Sequence, residues 1–198
     1  MVWENSLRMP LSHNDRDNLL KLSRKTLEAA FAIDPDLPLK TFRLRAEWLT
    51  EAVCEFRACF VSLFITGERL RGCIGTLAHS NPLFENVFEY TRQAAFHDPR
   101  FPPLTQSEIS DVTIHLSILG DTHRLTALGD LKLGLHGLLV SHQGHRGVLL
   151  AKVALQFGWD RNEFLRQTCQ KAGLNPSRAS SYTIEYFEEE DCEETRTL

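Results

Sequence analysis

The sequence predicts an α+β fold, a mainly antiparallel sheet flanked by helices. Three observations carry this prediction. Residues 57–66 and 69–77 are strand-like runs joined only by Gly67-Glu68, which fits a β-hairpin. Val112, Ile114, Leu116 and Ile118 alternate with Thr113, His115 and Ser117, the pattern of a half-buried strand. Capped helical stretches stand beside short-linked strands without the regular βαβ alternation of a doubly wound fold.

Taken in order, Ser12 can cap a first helix whose apolar positions Leu19, Leu22, Leu27, Ala30 and Phe31 suit one face, ended by Asp34-Pro35. A short helix is expected at about 48–53. In the first strand both faces are apolar, Cys59, Val61, Leu63 and Ile65 against Phe60 and Phe64, so it should be central in its sheet. Asn81-Pro82 opens a helix with Pro at its first position, buried through Leu83, Val87, Tyr90, Ala94 and Ala95. Asp98-Pro99 stops it. Residues 98–104 are too proline-rich for regular structure, but Phe101 and Leu104 suggest an anchored loop. Thr105-x-x-Glu108 is a capping box. Residues 137–141 and 147–150 read as strands joined through 142–145. Asp160-x-x-Glu163 caps a helix carrying Phe164, Leu165 and Cys169 and ending at Gly173. A last strand covers about 182–187.

The 198 residues fit one domain, expected over 1–187. No apolar run approaches the roughly 18 residues of a membrane span, and the first residues lack a signal-peptide pattern. The five cysteines contain no CxxC pair, which argues against a disulfide framework or a cysteine-built zinc site and for a cytoplasmic protein. Residues 188–198 hold Glu188, Glu189, Glu190, Asp191, Glu193 and Glu194. This stretch is expected to be a solvated, disordered tail, with partner docking as the alternative. Without those six, 22 Lys and Arg face 20 of the 26 acids, so the body is nearly neutral, unlike a nucleic-acid binder.

The run Leu70-Arg71-Gly72-Cys73-Ile74-Gly75-Thr76-Leu77 is unusual, because glycine inside a strand weakens it. Two glycines there suggest a bulge, a bend or a close approach to the backbone. In a regular strand Arg71, Cys73 and Gly75 share a face. A cation beside a thiol favours the nucleophilic thiolate, and the glycines would leave room for a substrate and free amides for an anion. The competing reading is a small buried hydrophobe.

This segment resembles the signature of the AMMECR family, whose bacterial and archaeal members are called AmmeMemoRadiSam system protein A. Similar stretches are Phe60-Val61-Ser62-Leu63, Ala94-Ala95-Phe96 with 98–104, Ser117-Ile118-Leu119, Leu135-His136-Gly137-Leu138, Arg146-Gly147-Val148-Leu149-Leu150, and Cys169 with Lys171-Ala172-Gly173-Leu174. They cover about 15–187. The resemblance implies a two-lobed α+β domain with the signature segment near a cleft. It also implies association with a Memo-like protein and a radical S-adenosylmethionine protein, without a settled activity. Where the family has Leu-Pro-Gln-Val, this chain has Leu150-Ala151-Lys152-Val153.

Further candidates follow. His136 can serve as general base to Cys73, or as a hydrogen-bonded structural histidine. Asp98 and Arg100 read as a salt-bridged staple, with Arg100 recognition of a carboxylate or phosphate as the sharper alternative. Thr76 can line the site beside Gly72 and Gly75. His142-x-x-His145 has metal-like spacing but spans a turn without a nearby acid, so no metal is expected. No Walker, Rossmann or Gly-x-Ser-x-Gly motif occurs, and no cofactor is expected. Two functions stay open. One is a cysteine-dependent enzyme acting on a small electrophilic metabolite, with Cys73 as nucleophile. The other is a non-catalytic scaffold that binds a ligand or partner at the same place.

Overall fold

The computed structural model of the chain describes residues 8–34, 38–42, 44–65 and 69–195. Helix α1 (His13–Ala32) begins at a reciprocal capping box. Ser12 Oγ accepts from Asp15 N at 3.1 Å, and Asp15 Oδ2 accepts from Ser12 N at 2.9 Å. Leu19, Leu22, Leu27 and Ala30 are buried, as their spacing predicts. Pro35 and the Gly67-Glu68 link fall outside the described residues. A 3-10 turn, Ala46–Trp48, and a short helix α2 (Glu51–Cys54) capped by Thr50 stand where one short helix is expected.

Strand β1 (Cys59–Ile65) pairs antiparallel with β2 (Arg69–Thr76) on one side and β3 (Thr113–Arg124) on the other. It is central, and Cys59, Val61 and Leu63 are fully buried. Helix α3 (Leu83–Phe96) has Pro82 as its N-cap, one residue earlier than expected. Between α1 and α3 two buried hydroxyls, Ser23 Oγ and Thr91 Oγ1, satisfy each other at 2.7 Å, which keeps polar atoms tolerable in that contact. The Thr105–Glu108 capping box is present and opens a 3-10 turn, Gln106–Asp111.

Strands β4 (His136–His142) and β5 (His145–Leu149) form a hairpin. Its turn residues Gln143 and Gly144 have φ of 47° and 84°, the doubly positive pair a two-residue hairpin turn needs. Helices α4 (Ala151–Gln156) and α5 (Arg161–Lys171) follow. Asp160 caps α5 by accepting from Glu163 N at 2.8 Å. At its other end Leu174 N donates to Cys169 O and Gly173 N to Gln170 O, a Schellman closure with Gly173 at φ 71°. Strand β6 (Thr183–Glu193) pairs antiparallel with β4. The six strands hydrogen-bond in the order β2-β1-β3-β6-β4-β5, and the fold is α+β.

The expected 1–187 domain divides into two compact units, Met1–Ile118 with Asp191–Leu198, and Leu119–Glu190. The first packs α3 on β1 and β2, and α1 on α3, around Leu27, Val61, Leu83, Val87 and Ile114. In the second, Leu131, Leu138, Ala154 and Phe164 form one core cluster and Val140 and Cys169 another.

Strands β3 and β6 both run about six residues beyond expectation, and the acidic end is a correction. Residues 188–193 continue β6 rather than forming a disordered tail. Their partners explain it: Cys192 is buried, and Ser117 Oγ donates to Asp191 Oδ1 at 2.8 Å. Arg24 forks onto Glu194 and also donates to the carbonyls of Ile109 and Val112. Charge density alone cannot register these donors, which arrive from distant parts of the chain.

Candidate functional site around Cys73

The geometry of the site starts with a bulge. Leu63 pairs with Gly72 and Phe64 with Leu70, so Arg71 is the extra residue of β2. The regular alternation that would set Arg71 beside the thiol is broken there. Its guanidinium is buried. Nε and Nη2 fork onto Glu108 at 2.7 and 3.0 Å, and Nη1 and Nη2 donate to Pro102 O and Pro103 O at 2.9 and 3.2 Å. Arg71 therefore staples the proline-rich loop to the sheet, and its expected partnership with Cys73 gives way to that role. Glu108 responds: the Arg71 fork holds its carboxyl at about 2.

The cation beside Cys73 is Arg100. Cys73 N donates to Asp98 Oδ2 at 2.8 Å, and Arg100 Nη2 donates to Cys73 O at 3.0 Å. Two side chains thus take the backbone groups of Cys73 on the open edge of β2, where a further strand would otherwise pair. Asp98 is buried and accepts from Arg100 N, Nε and Nη2 at 3.1, 2.9 and 2.6 Å. These bonds, Arg100's side chain first, hold the Asp98 carboxyl at about 2. The charged form of Arg100 is favoured chiefly by Asp98 and further by the Cys73 side chain. Its side chain is 54% exposed and lies over the Phe101 ring, and no bond of Nη1 to a described residue is present. The staple reading of Asp98–Arg100 and a cation open to an incoming anion are both compatible with this geometry.

The thiol is half-buried, and Ser62 Oγ donates to Sγ at 3.1 Å. Ser62 stands opposite Cys73 on one side and opposite His115 on the other. His115 Nε2 lies 3.2 Å from Glu193 Oε1. A polar row of Cys73, Ser62, His115 and Glu193 thereby crosses four strands of the first unit. Sequence reasoning missed the last three. Ser62 and His115 are visible as polar positions of two strands, but only the register sets them in line, and Glu193 falls in the stretch taken for a tail.

The two glycines serve packing. A Cβ on Gly72 would stand 2.0 Å from Ala94 O of α3, and one on Gly75 would stand 2.3 Å from Cys59 O and 2.5 Å from the Phe60 ring. The expected room for a substrate is taken by protein. Thr76 Oγ1 accepts from Ala78 N at 2.9 Å, a turn contact.

His136 belongs to the second unit. It is buried and stacked on Tyr186 with ring centroids 4.4 Å apart. Lys132 N donates to its Nδ1 at 3.2 Å, and burial lowers its pKa. These contacts are those of a structural histidine. His142 and His145 face each other as the last pair before the hairpin turn, with the His142 ring 4.9 Å from that of Tyr182. Among the described residues no three His, Cys, Asp or Glu side chains converge to hold a metal, and no helix is long and apolar enough to cross a membrane.

Comparison with known proteins bears out the fold. The chain is 35% identical over 173 residues to a protein of Methanothermobacter thermautotrophicus, covering 84% of this chain and 86% of that one. A protein of Methanocaldococcus jannaschii is 37% identical over 153 residues, 73% and 76% of the two chains. The crystal structure of an uncharacterised protein from Pyrococcus horikoshii superposes with a TM-score of 0.81 at 27% identity, over 91% of this chain and 92% of that one. The AMMECR1 family profile matches residues 20–192, past the expected end of the domain at 187, and the chain belongs to the AMMECR1 family.

Proposed function

We propose that the chain is a cysteine-dependent enzyme acting on a small electrophilic metabolite, with Cys73 as nucleophile. One observation carries this reading: a half-buried thiol receives the Ser62 hydroxyl and lies beside Arg100, so a sulfur anion there has both a donor and a counter-charge. In this reading the thiolate attacks the electrophilic carbon, the leaving group departs with the bonding pair, and water later releases the product. Arg100 Nη1 is the group to meet a developing negative charge. The five cysteines form no disulfide among the described residues, which supports a reducing, cytoplasmic setting. The likeness of the signature segment to AmmeMemoRadiSam system protein A supports a Memo-like protein and a radical S-adenosylmethionine protein as working partners.

The second reading, a non-catalytic binding module, draws on the saturation of the Cys73 backbone by Asp98 and Arg100, which makes this edge rigid. A p-nitrophenyl acetate reaction separates the two. Attack by Cys73 transfers the acetyl group to sulfur and releases p-nitrophenolate. The enzyme reading expects the acetyl group on Cys73, with turnover that Cys73→Ser abolishes. Acetylation shared equally with half-buried Cys54, without turnover, favours the module.

A further inference from the structure

In the first unit the polar row that starts at Cys73 lies on the sheet face turned away from α3. A Cβ on Gly72 would point at Ala94 O of that helix, so Cys73, next along the strand, points the other way. Ser62 stands between fully buried Val61 and Leu63, and His115 between fully buried Ile114 and Leu116. Glu193 follows buried Cys192, so all four polar side chains share the face opposite the core. Ser62 is the register partner of Cys73 on one side and of His115 on the other. Cys73 and His115 are thus two strand spacings apart, roughly 10 Å of backbone. Directly opposed side chains stand about 5 Å apart at Cβ, and Ser62 Oγ lies 3.1 Å from Sγ. An acyl group carried on Sγ and laid over Ser62 leaves a gap to the imidazole of about one water molecule, the reach of a general base.

The imidazole is held from two sides. Nε2 lies 3.2 Å from Glu193 Oε1, and the Phe64 ring stands 4.5 Å from the His115 ring, centroid to centroid. The carboxylate favours the proton on Nε2, which makes Nδ1 the basic nitrogen. We propose that His115, oriented by Glu193, is the general base of the hydrolytic half-reaction at Cys73. Water gives a proton to the imidazole as its oxygen bonds the acyl carbon. The C–S bond then breaks, its electron pair returns to sulfur, and the imidazolium hands the proton to that sulfur. This gives the role expected of His136 to a histidine of the same unit as the thiol. The assignment rests on Cys73 being the nucleophile, and the test below lets the two fail separately.

Stopped-flow hydrolysis of p-nitrophenyl acetate by the full chain separates acylation, a burst of p-nitrophenolate, from the steady-state release of acetate. His115→Ala should keep the burst and slow the steady state roughly 100-fold, with acetyl-Cys73 accumulating in the intact mass. Free imidazole should then speed loss of the acetyl group in His115→Ala well above its effect in His115→Gln, whose side chain still fills the row. A merely structural histidine would give no such difference. Glu193→Gln should slow the same step by a smaller factor. A burst followed by an unchanged steady state in His115→Ala overturns the base and leaves Cys73 as nucleophile. So does a slowed release on which imidazole acts equally in the two variants. Loss of the burst itself in both variants places His115 in folding or acylation and overturns it too. An absence of acetyl on Cys73 of the wild type overturns the nucleophile, and the base with it.

Discussion

Arg100 reaches back 27 positions to the carbonyl of Cys73 at 3.0 Å, so the cation at this residue comes from the loop after α3 rather than from adjacent Arg71. The two arginines have divided the work the sequence suggests for one. Arg71 holds the loop, and Arg100, pinned by buried Asp98, faces the thiol's residue and solvent.

Arg71→Ala should therefore act on stability. It takes the fork from Glu108, which keeps only its Thr105 donors, and removes the guanidinium from two carbonyls, and breaking such a partly buried pair costs about 3 kcal/mol. Arg71→Lys should recover little of it, because an ammonium cannot fork. Urea unfolding of both variants measures this, and in the folded fraction the alkylation rate of Cys73 should be unchanged.

Acid should weaken the same region. Glu108 and Asp98 each titrate at about 2 in the folded chain, against ordinary values of 4.5 and 3.8. The unfolded chain takes up these protons first, so their stabilisation is full above pH 4.5 and is lost as pH falls towards about 2. Glu108→Gln and Asp98→Asn should flatten that part of the pH–stability curve, as followed by thermal melts from neutral pH to pH 2.

Gly72→Ala should be severe, about 3 kcal/mol or a failure to fold, because backbone on α3 occupies the space of the new methyl. Gly129→Ala meets nothing within 4 Å and should stay within about 0.5 kcal/mol of the wild type. A ligand-admitting role for Gly72 predicts instead a folded protein with impaired chemistry, so melting temperatures of the two variants decide between packing and access.

Much of the fold is legible because its signals are local. Ser12, Thr105 and Asp160 cap what their spacing says they cap, and Gly173 closes α5. The ends of β3 and β6 are not legible, because strand length is set by partners far away in sequence. The site divides the same way. Cys73, Asp98 and Arg100 stand together as residues of one neighbourhood. The bulge at Arg71 is hinted at by Gly72 but its register is invisible, and it sends the guanidinium to Glu108. Ser62, His115 and Glu193 come into line only through pairing across strands.

The most direct test is competitive alkylation with iodoacetamide at neutral pH, read cysteine by cysteine by mass spectrometry. Cys59, pushed up to about 12 by burial, and buried Cys169 serve as unreactive internal references. Cys73 should react roughly tenfold faster than Cys54, and Arg100→Gln or Ser62→Ala should remove most of that advantage. Equal rates at Cys73 and Cys54, unmoved by Arg100→Gln, would contradict an activated thiol.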